Sequence, residues 1–250
     1  MNDWHVTPRF ATQPFVQQQF ASLDRVASLT GTPLGHDPLS NVLRLDDGNV
    51  AYYVKRYHRA AKNPLRRWLG IPRVVREWRN LLLFERWQIR TAELVAYGQE
   101  RRFGGFVRGA LVTLGIPATS DLAELALTGD PRLHNRHWVA AISRQLAQFT
   151  RSMHRQGFTH NDLKWRNILV DNQMPPCIYL IDCPNGAFWA GPQLSTRIVK
   201  DLACLDKVAR HCLSATQRLR FYLDYAQCTR LGTADKNRIR AIVHYFKGRE

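Results

Sequence analysis

A chain of 250 residues with 45% hydrophobic and 22% charged side chains has ordinary globular composition, which excludes a disordered chain and allows one large core or two small ones. Its longest apolar runs, such as Leu81 to Phe84, fall far short of the roughly 20 residues a membrane-crossing helix needs, and "MNDWHVTPRF" lacks the apolar segment of a secretion signal, so a soluble cytoplasmic protein is expected. A net charge of +16 calls for an anionic partner: nucleic acid, an anionic membrane face, a phosphorylated glycan or nucleotide phosphates.

In chain order, the first half reads as a sheet with one inserted helix. "DRVASLTG" (24–31), "SNVLRLDDGNVAYYVKRYH" (40–58) and "RRFGGFVRGALVTLG" (101–115) are rich in β-branched and aromatic residues. The second contains Asp-Asp-Gly-Asn, a hairpin turn between two alternating runs. Period two puts Lys55 on the same strand face as Ala51 and Tyr53. "IPRVVREWRNLLLFERW" (71–87) follows, with a helical stripe at Val74, Leu81 and Phe84 and Pro72 suited to the helix start. Glu77 falls on that buried stripe, where a carboxylate is costly without a cation.

"TLGIPATSD" (113–121) combines Gly and Pro where the strands give way to helices, so the expected division is 1–116 and 117–250. "NRHWVAAISRQLAQFTRSMHRQG" (135–157) places Trp138, Ile142, Leu146, Phe149 and Met153 on one helical face, and Gly157 stops it. Further helices are expected over 196–213, 216–228 and 234–246. The five cysteines form no C-x-x-C pair and read as reduced core thiols.

Between these helices lies the chemistry. "HNDLKWRN" fits H-x-D-L-x-x-x-x-N, in which the Asp, here Asp162, accepts the proton of an attacking hydroxyl and the Asn, here Asn167, binds metal. Asp182 ends the short apolar strand "IYLI", the place of a second metal-holding carboxylate. Upstream, "VAYYVKRY" resembles the V-A-I-K strand, which makes Lys55 a phosphate ligand and Glu77 its orienting partner. Each motif alone has a bland reading: an Asx-capped turn, an edge lysine, a frayed helix, a strand end. The order Lys, Glu, H-x-D, Asn, Asp is what raises the odds.

These residues resemble the protein-kinase-like fold over about residues 23 to 213. More narrowly, "MHRQGFTHNDLKWRNILV", "REW" (76–78) and "VKDLACL" (199–205) resemble the lipopolysaccharide kinase (Kdo/WaaP) family. The resemblance implies an α+β bilobal fold, an N-terminal antiparallel sheet with one helix and a mainly helical C-terminal lobe. It implies ATP and Mg²⁺ as cofactors, and as acceptor a heptose or Kdo hydroxyl of the lipid-linked lipopolysaccharide core at the inner membrane. It further implies Lys164 on the γ-phosphate, Asp201 in a helix-opening Asp-Leu bracing the catalytic loop through backbone N–H groups, and His160 as a packed structural histidine.

Two departures stand out. The phosphate-covering glycine loop is reduced to "TGTPLGHDPLSN" (30–41) with Gly31 and Gly35, and the Asp-Phe-Gly position reads Asp182-Cys183-Pro184. The short span from Asp182 to Asp201 lacks A-P-E and favours a small or glycan acceptor over a peptide. Within the basic run 55–79, Arg66, Arg67, Arg73 and Arg76 are candidates for acceptor or membrane contact, with "FWAGPQ" (188–193) adding exposed aromatics. A small-molecule kinase of the aminoglycoside-phosphotransferase type and a pseudokinase binding module remain open as alternatives. No motif supports nucleic-acid binding.

Overall fold

The computed structural model describes residues 2–61, 68 and 70–248. The chain forms two compact units, Met1–Phe84 with Thr91–Pro117, and Glu85–Arg90 with Ala118–Glu250.

The first unit is built on an antiparallel sheet of β1 (Asn2–Val6), β2 (Thr32–Asp37), β3 (Ser40–Asp46), β4 (Ala51–Tyr57), β5 (Leu94–Arg102) and β6 (Gly105–Leu114), in the order β1-β5-β6-β4-β3-β2. Because β4 is an inner strand, Lys55 is held on both edges, opposite Val42 of β3 and Leu111 of β6. Alternation along β4 sends Tyr52 and Val54 into a core with Leu43, Ala96, Ala110 and Val112, which α1 (Pro14–Gln19) and α2 (Leu23–Ser28) cover with Val16, Leu23 and Val26. Ala51, Tyr53, Lys55 and Tyr57 share the other strand face. There α3 (Arg73–Arg86) buries Val74, Glu77, Trp78, Leu81 and Phe84, with Trp78 against Tyr97 at 5.3 Å between ring centroids.

One expectation is corrected here. Residues 24–31 are not a strand: the Ser22 hydroxyl accepts the Arg25 N–H at 3.2 Å, a helix N-cap, and Leu23 and Val26 are buried at helical spacing. The sheet is therefore flanked by α1 and α2 as well as the expected helix. Residues 30–41 fall in the hairpin of β2 and β3, with neither glycine at its tip. Gly35 lies within β2, Gly31 just before it, and the turn itself is Pro38-Leu39, closed by the Leu39 N–H on the Asp37 carboxylate at 2.7 Å. Gly31 answers a packing demand, since a Cβ there would stand 2.7 Å from the Arg44 carbonyl oxygen.

The second unit is mainly helical. It contains β7 (Thr119–Asp121), α4 (Leu122–Thr128), α5 (Arg136–Arg155), β8 (Phe158–Thr159), β9 (Ile168–Asp171), β10 (Ile178–Leu180), β11 (Ala187–Phe188), α6 (Gly191–Cys212), α7 (Ala215–Ala226) and α8 (Thr233–His244). The stripe Trp138, Ile142, Leu146, Phe149, Met153 is buried as its spacing predicts. Asn135 caps α5 through the His137 and Trp138 N–H groups, and Gly157 turns away at φ +73°. β7, β9 and β10 form one small sheet, β8 and β11 another. Helix α6 begins at Gly191 rather than near 196, so Asp201 sits inside it and does not open it. Among the described residues no helix is long and apolar enough to cross a membrane.

Candidate active site

In the first unit, the Lys55 ammonium meets the Glu77 carboxylate at 2.9 Å, and the Tyr57 hydroxyl donates to the other carboxylate oxygen. Glu77 is only 3% exposed, so these two donors are what make its burial tolerable. Tyr57 is a residue the motif does not name, although period two from Lys55 places it on the same face. Arg73 and Arg76, named as candidates for acceptor or membrane contact, stand at the start of α3. Both are half-buried, and Arg73 lies 3.6 Å from Asp37. Arg66 and Arg67 lie outside the described residues.

In the second unit, the segment from Thr159 to Asp171 is held at both ends by strand pairing, β8 with β11 and β9 with β10. Between the strands, Asp162 binds the Lys164 ammonium at 2.6 Å and lies 3.6 Å from the Arg166 guanidinium. The Asn167 amide donates to the Asp162 carbonyl at 2.9 Å, and its own carbonyl accepts the Ile181 N–H at 3.0 Å. The Trp165 indole donates to the Leu205 carbonyl at 2.9 Å, fastening the 3₁₀ turn Trp165–Asn167 to α6. Trp165 thus anchors the loop and Arg166 neighbours its carboxylate; neither role is readable from the motif.

Two backbone positions in this region are left-handed, Asn161 at φ +62° and Asp182 at φ +56°. Asn and Asp tolerate that conformation best among residues with a Cβ, yet it persists only where neighbours over-determine it. Here the Asn161 side chain donates to the Asn185 carbonyl at 2.9 Å, tying the Asp162 loop to the Asp182-Cys183-Pro184 turn. Asp201, fully buried, accepts the His160 N–H at 2.7 Å and the Asn161 N–H at 2.8 Å. His160 is also fully buried, and that burial lowers its pKa, while the carboxylates of Asp201, Asp182 and Asp162 and the Ile181 backbone pull the other way. Three carboxylates therefore act on one imidazole.

The donor set suits magnesium. Asn167 spends its amide nitrogen on Asp162 and keeps an amide oxygen, and Asp182 adds a carboxylate. Among the described residues no three His, Cys, Asp or Glu side chains group to hold a metal on their own.

The chain is similar in structure to "WaaP in complex with acyl carrier protein", with a TM-score of 0.76 and 20% identity over 99% of this chain and 97% of that one. It is more distantly similar to Rad53 in complex with AMP-PNP, with a TM-score of 0.50 and 16% identity over 86% of this chain and 57% of that one. Both are likenesses of fold, protein-kinase-like in each case. No curated protein matches by sequence. The lipopolysaccharide kinase (Kdo/WaaP) family model matches residues 39–225, three quarters of the chain, and the chain belongs to that family.

Proposed function

We propose that this protein transfers the γ-phosphoryl group of ATP to a hydroxyl of a lipopolysaccharide inner-core sugar, heptose or Kdo, at the cytoplasmic face of the inner membrane. The observation that carries this reading is Asp162, its carboxylate 2.6 Å from Lys164 and its main-chain carbonyl accepting the Asn167 side-chain amide, in a chain of this kinase family. Residues 1–116 serve as the nucleotide lobe and 117–250 as the catalytic lobe.

Lys55, kept in place by Glu77 and Tyr57, grips the nucleotide phosphates. Lys164 leaves Asp162 for the γ-phosphate when nucleotide enters, because a phosphate offers it more charge than a carboxylate does. The Asp162 oxygen so released accepts the acceptor's hydroxyl, orients it in line with phosphorus and takes its proton as the new P–O bond forms, while the bond from the γ-phosphorus to the β–γ bridging oxygen breaks and ADP leaves with its electron pair. Asn167 and Asp182 would hold Mg²⁺, which when bound neutralises charge on the β- and γ-oxygens. His160, buried beside Asp201, packs the loop and takes no proton.

Transfer from labelled ATP to dephosphorylated core lipopolysaccharide is expected with Mg²⁺ and not with EDTA. Failure on that acceptor with turnover of a small alcohol substrate would favour a small-molecule kinase. Failure to bind or turn over ATP would favour a binding module.

A protein partner is also part of this reading. The neighbour WaaP was solved with an acyl carrier protein. Here the net charge of +16 suits a partner of opposite sign. The second unit also holds a cavity of about 260 Å³ whose walls include Leu122, Val139, Ile142, Leu146, Trp165 and Leu205, apolar enough for a hydrocarbon chain. Purified acyl carrier protein is expected to bind at least tenfold more tightly when acylated, and Ile142→Trp, which fills the cavity, is expected to erase that preference, a difference of about 1.4 kcal/mol. Equal binding of acylated and unacylated carrier by the wild type would remove the cavity from the interaction.

A further inference from the structure

We propose that Tyr225 of α7 and His154 of α5 are positioning residues for the loop that carries Asp162, acting through Asp201. A carboxylate offers about four lone-pair sites and only accepts. Asp201 spends two of its sites on the backbone N–H groups of His160 and Asn161, and a third faces His154 Nε2 at 3.4 Å. For that contact to be attractive in the neutral ring, Nε2 must carry the hydrogen, which leaves Nδ1 as an acceptor. The Tyr225 hydroxyl stands 2.9 Å from Nδ1 and supplies the donor. Direction therefore runs one way, from the Tyr225 hydroxyl to His154 to Asp201, where the loop's two amides converge from the other side.

His154 and Tyr225 are each 6% exposed, so water is a poor substitute for either partner. Arg151 donates to the Tyr225 carbonyl at 3.1 Å and holds the end of α7 against α5. Without the hydroxyl, Nδ1 becomes a buried acceptor with no donor, and the ring loses the bond that fixes it on that side. Its Nε2–H, already 3.4 Å from Asp201, is then held less firmly against the carboxylate. Asn161, left-handed at φ +62°, is the position that such a loosening releases first. The catalytic consequence rests on the kinase reading above; the positioning itself does not.

In Tyr225→Phe, the amides of His160 and Asn161 are expected to exchange with deuterium about tenfold faster or more. The transfer rate is expected to fall about tenfold with the KM for ATP unchanged. Tyr222→Phe is the control, because its hydroxyl, three residues earlier on the same helix, bonds Asp235 at 3.0 Å. It is expected to lower stability while leaving the two amides as they are. In the wild type, imidazole nitrogen shifts should report the Nε2–H tautomer of His154, a reading that needs no variant to fold. An Nδ1–H tautomer, or equal exchange at the two amides in wild type and Tyr225→Phe, would overturn the proposal. So would an unchanged transfer rate in Tyr225→Phe. A wild type that transfers no phosphate while showing the expected exchange pattern would count against the kinase reading alone.

Discussion

Asp162→Asn is expected to lower the rate of phosphoryl transfer about 10²- to 10⁴-fold while the protein stays folded. The substitution keeps the shape and the main-chain carbonyl that receives the Asn167 amide. What it removes is the charge that accepts a proton. The ionic partners it gives up, Lys164 and Arg166, have side chains 47% and 60% exposed, so losing them costs under about 1 kcal/mol of stability. Steady-state kinetics beside urea unfolding separates the two effects. A rate within a few-fold of wild type would take Asp162 out of the chemistry, and a large drop in stability would recast it as structural.

Lys55→Met has the opposite profile, with large losses in both. It strips a 3%-exposed carboxylate of the Lys55 ammonium that stands 2.9 Å away, while the Tyr57 hydroxyl stays bonded to it. Breaking such a pair from one side costs about 3–5 kcal/mol, mostly the penalty of an uncompensated buried charge. The double variant Lys55→Met/Glu77→Leu removes that charge and is expected to recover most of the stability, but none of the nucleotide turnover. If the double variant proves no more stable than the single one, the lysine contributes by packing its methylenes and not by its charge.

The contrast between the two sites follows from burial, and burial is where sequence reading ran short. Glu77 was legible as a problem, since a carboxylate on an apolar stripe needs a cation, and Lys55 lay on a strand face ready to provide one. Tyr57 was legible by the same alternation. The helix at Leu23–Ser28 was read as a strand because the cap that starts it, the Ser22 hydroxyl, lies just before the stretch that was read. The turn between β2 and β3 is Pro38-Leu39, closed by the Asp37 carboxylate and not by a glycine, which composition alone did not indicate. Arg73 and Arg76 read as surface cations and prove half-buried, because a helix face is decided by what packs on it.

Order and spacing along the chain were enough for the family and the kinase-like fold, and they put forward Lys55, Glu77, Asp162, Asn167 and Asp182 as the proposed site. Those signals are local: a period, a cap, a motif of fixed offsets. The family resemblance had Asp201 bracing the loop through backbone N–H groups, as it does for His160 and Asn161; only the folded chain shows that Trp165 is fastened to Leu205, that Asn161 reaches Asn185, and that His154 stands between Tyr225 and Asp201. The reason is that a buried polar group must be satisfied by whatever partner the packing brings, and no pattern in the neighbouring residues records which one that is.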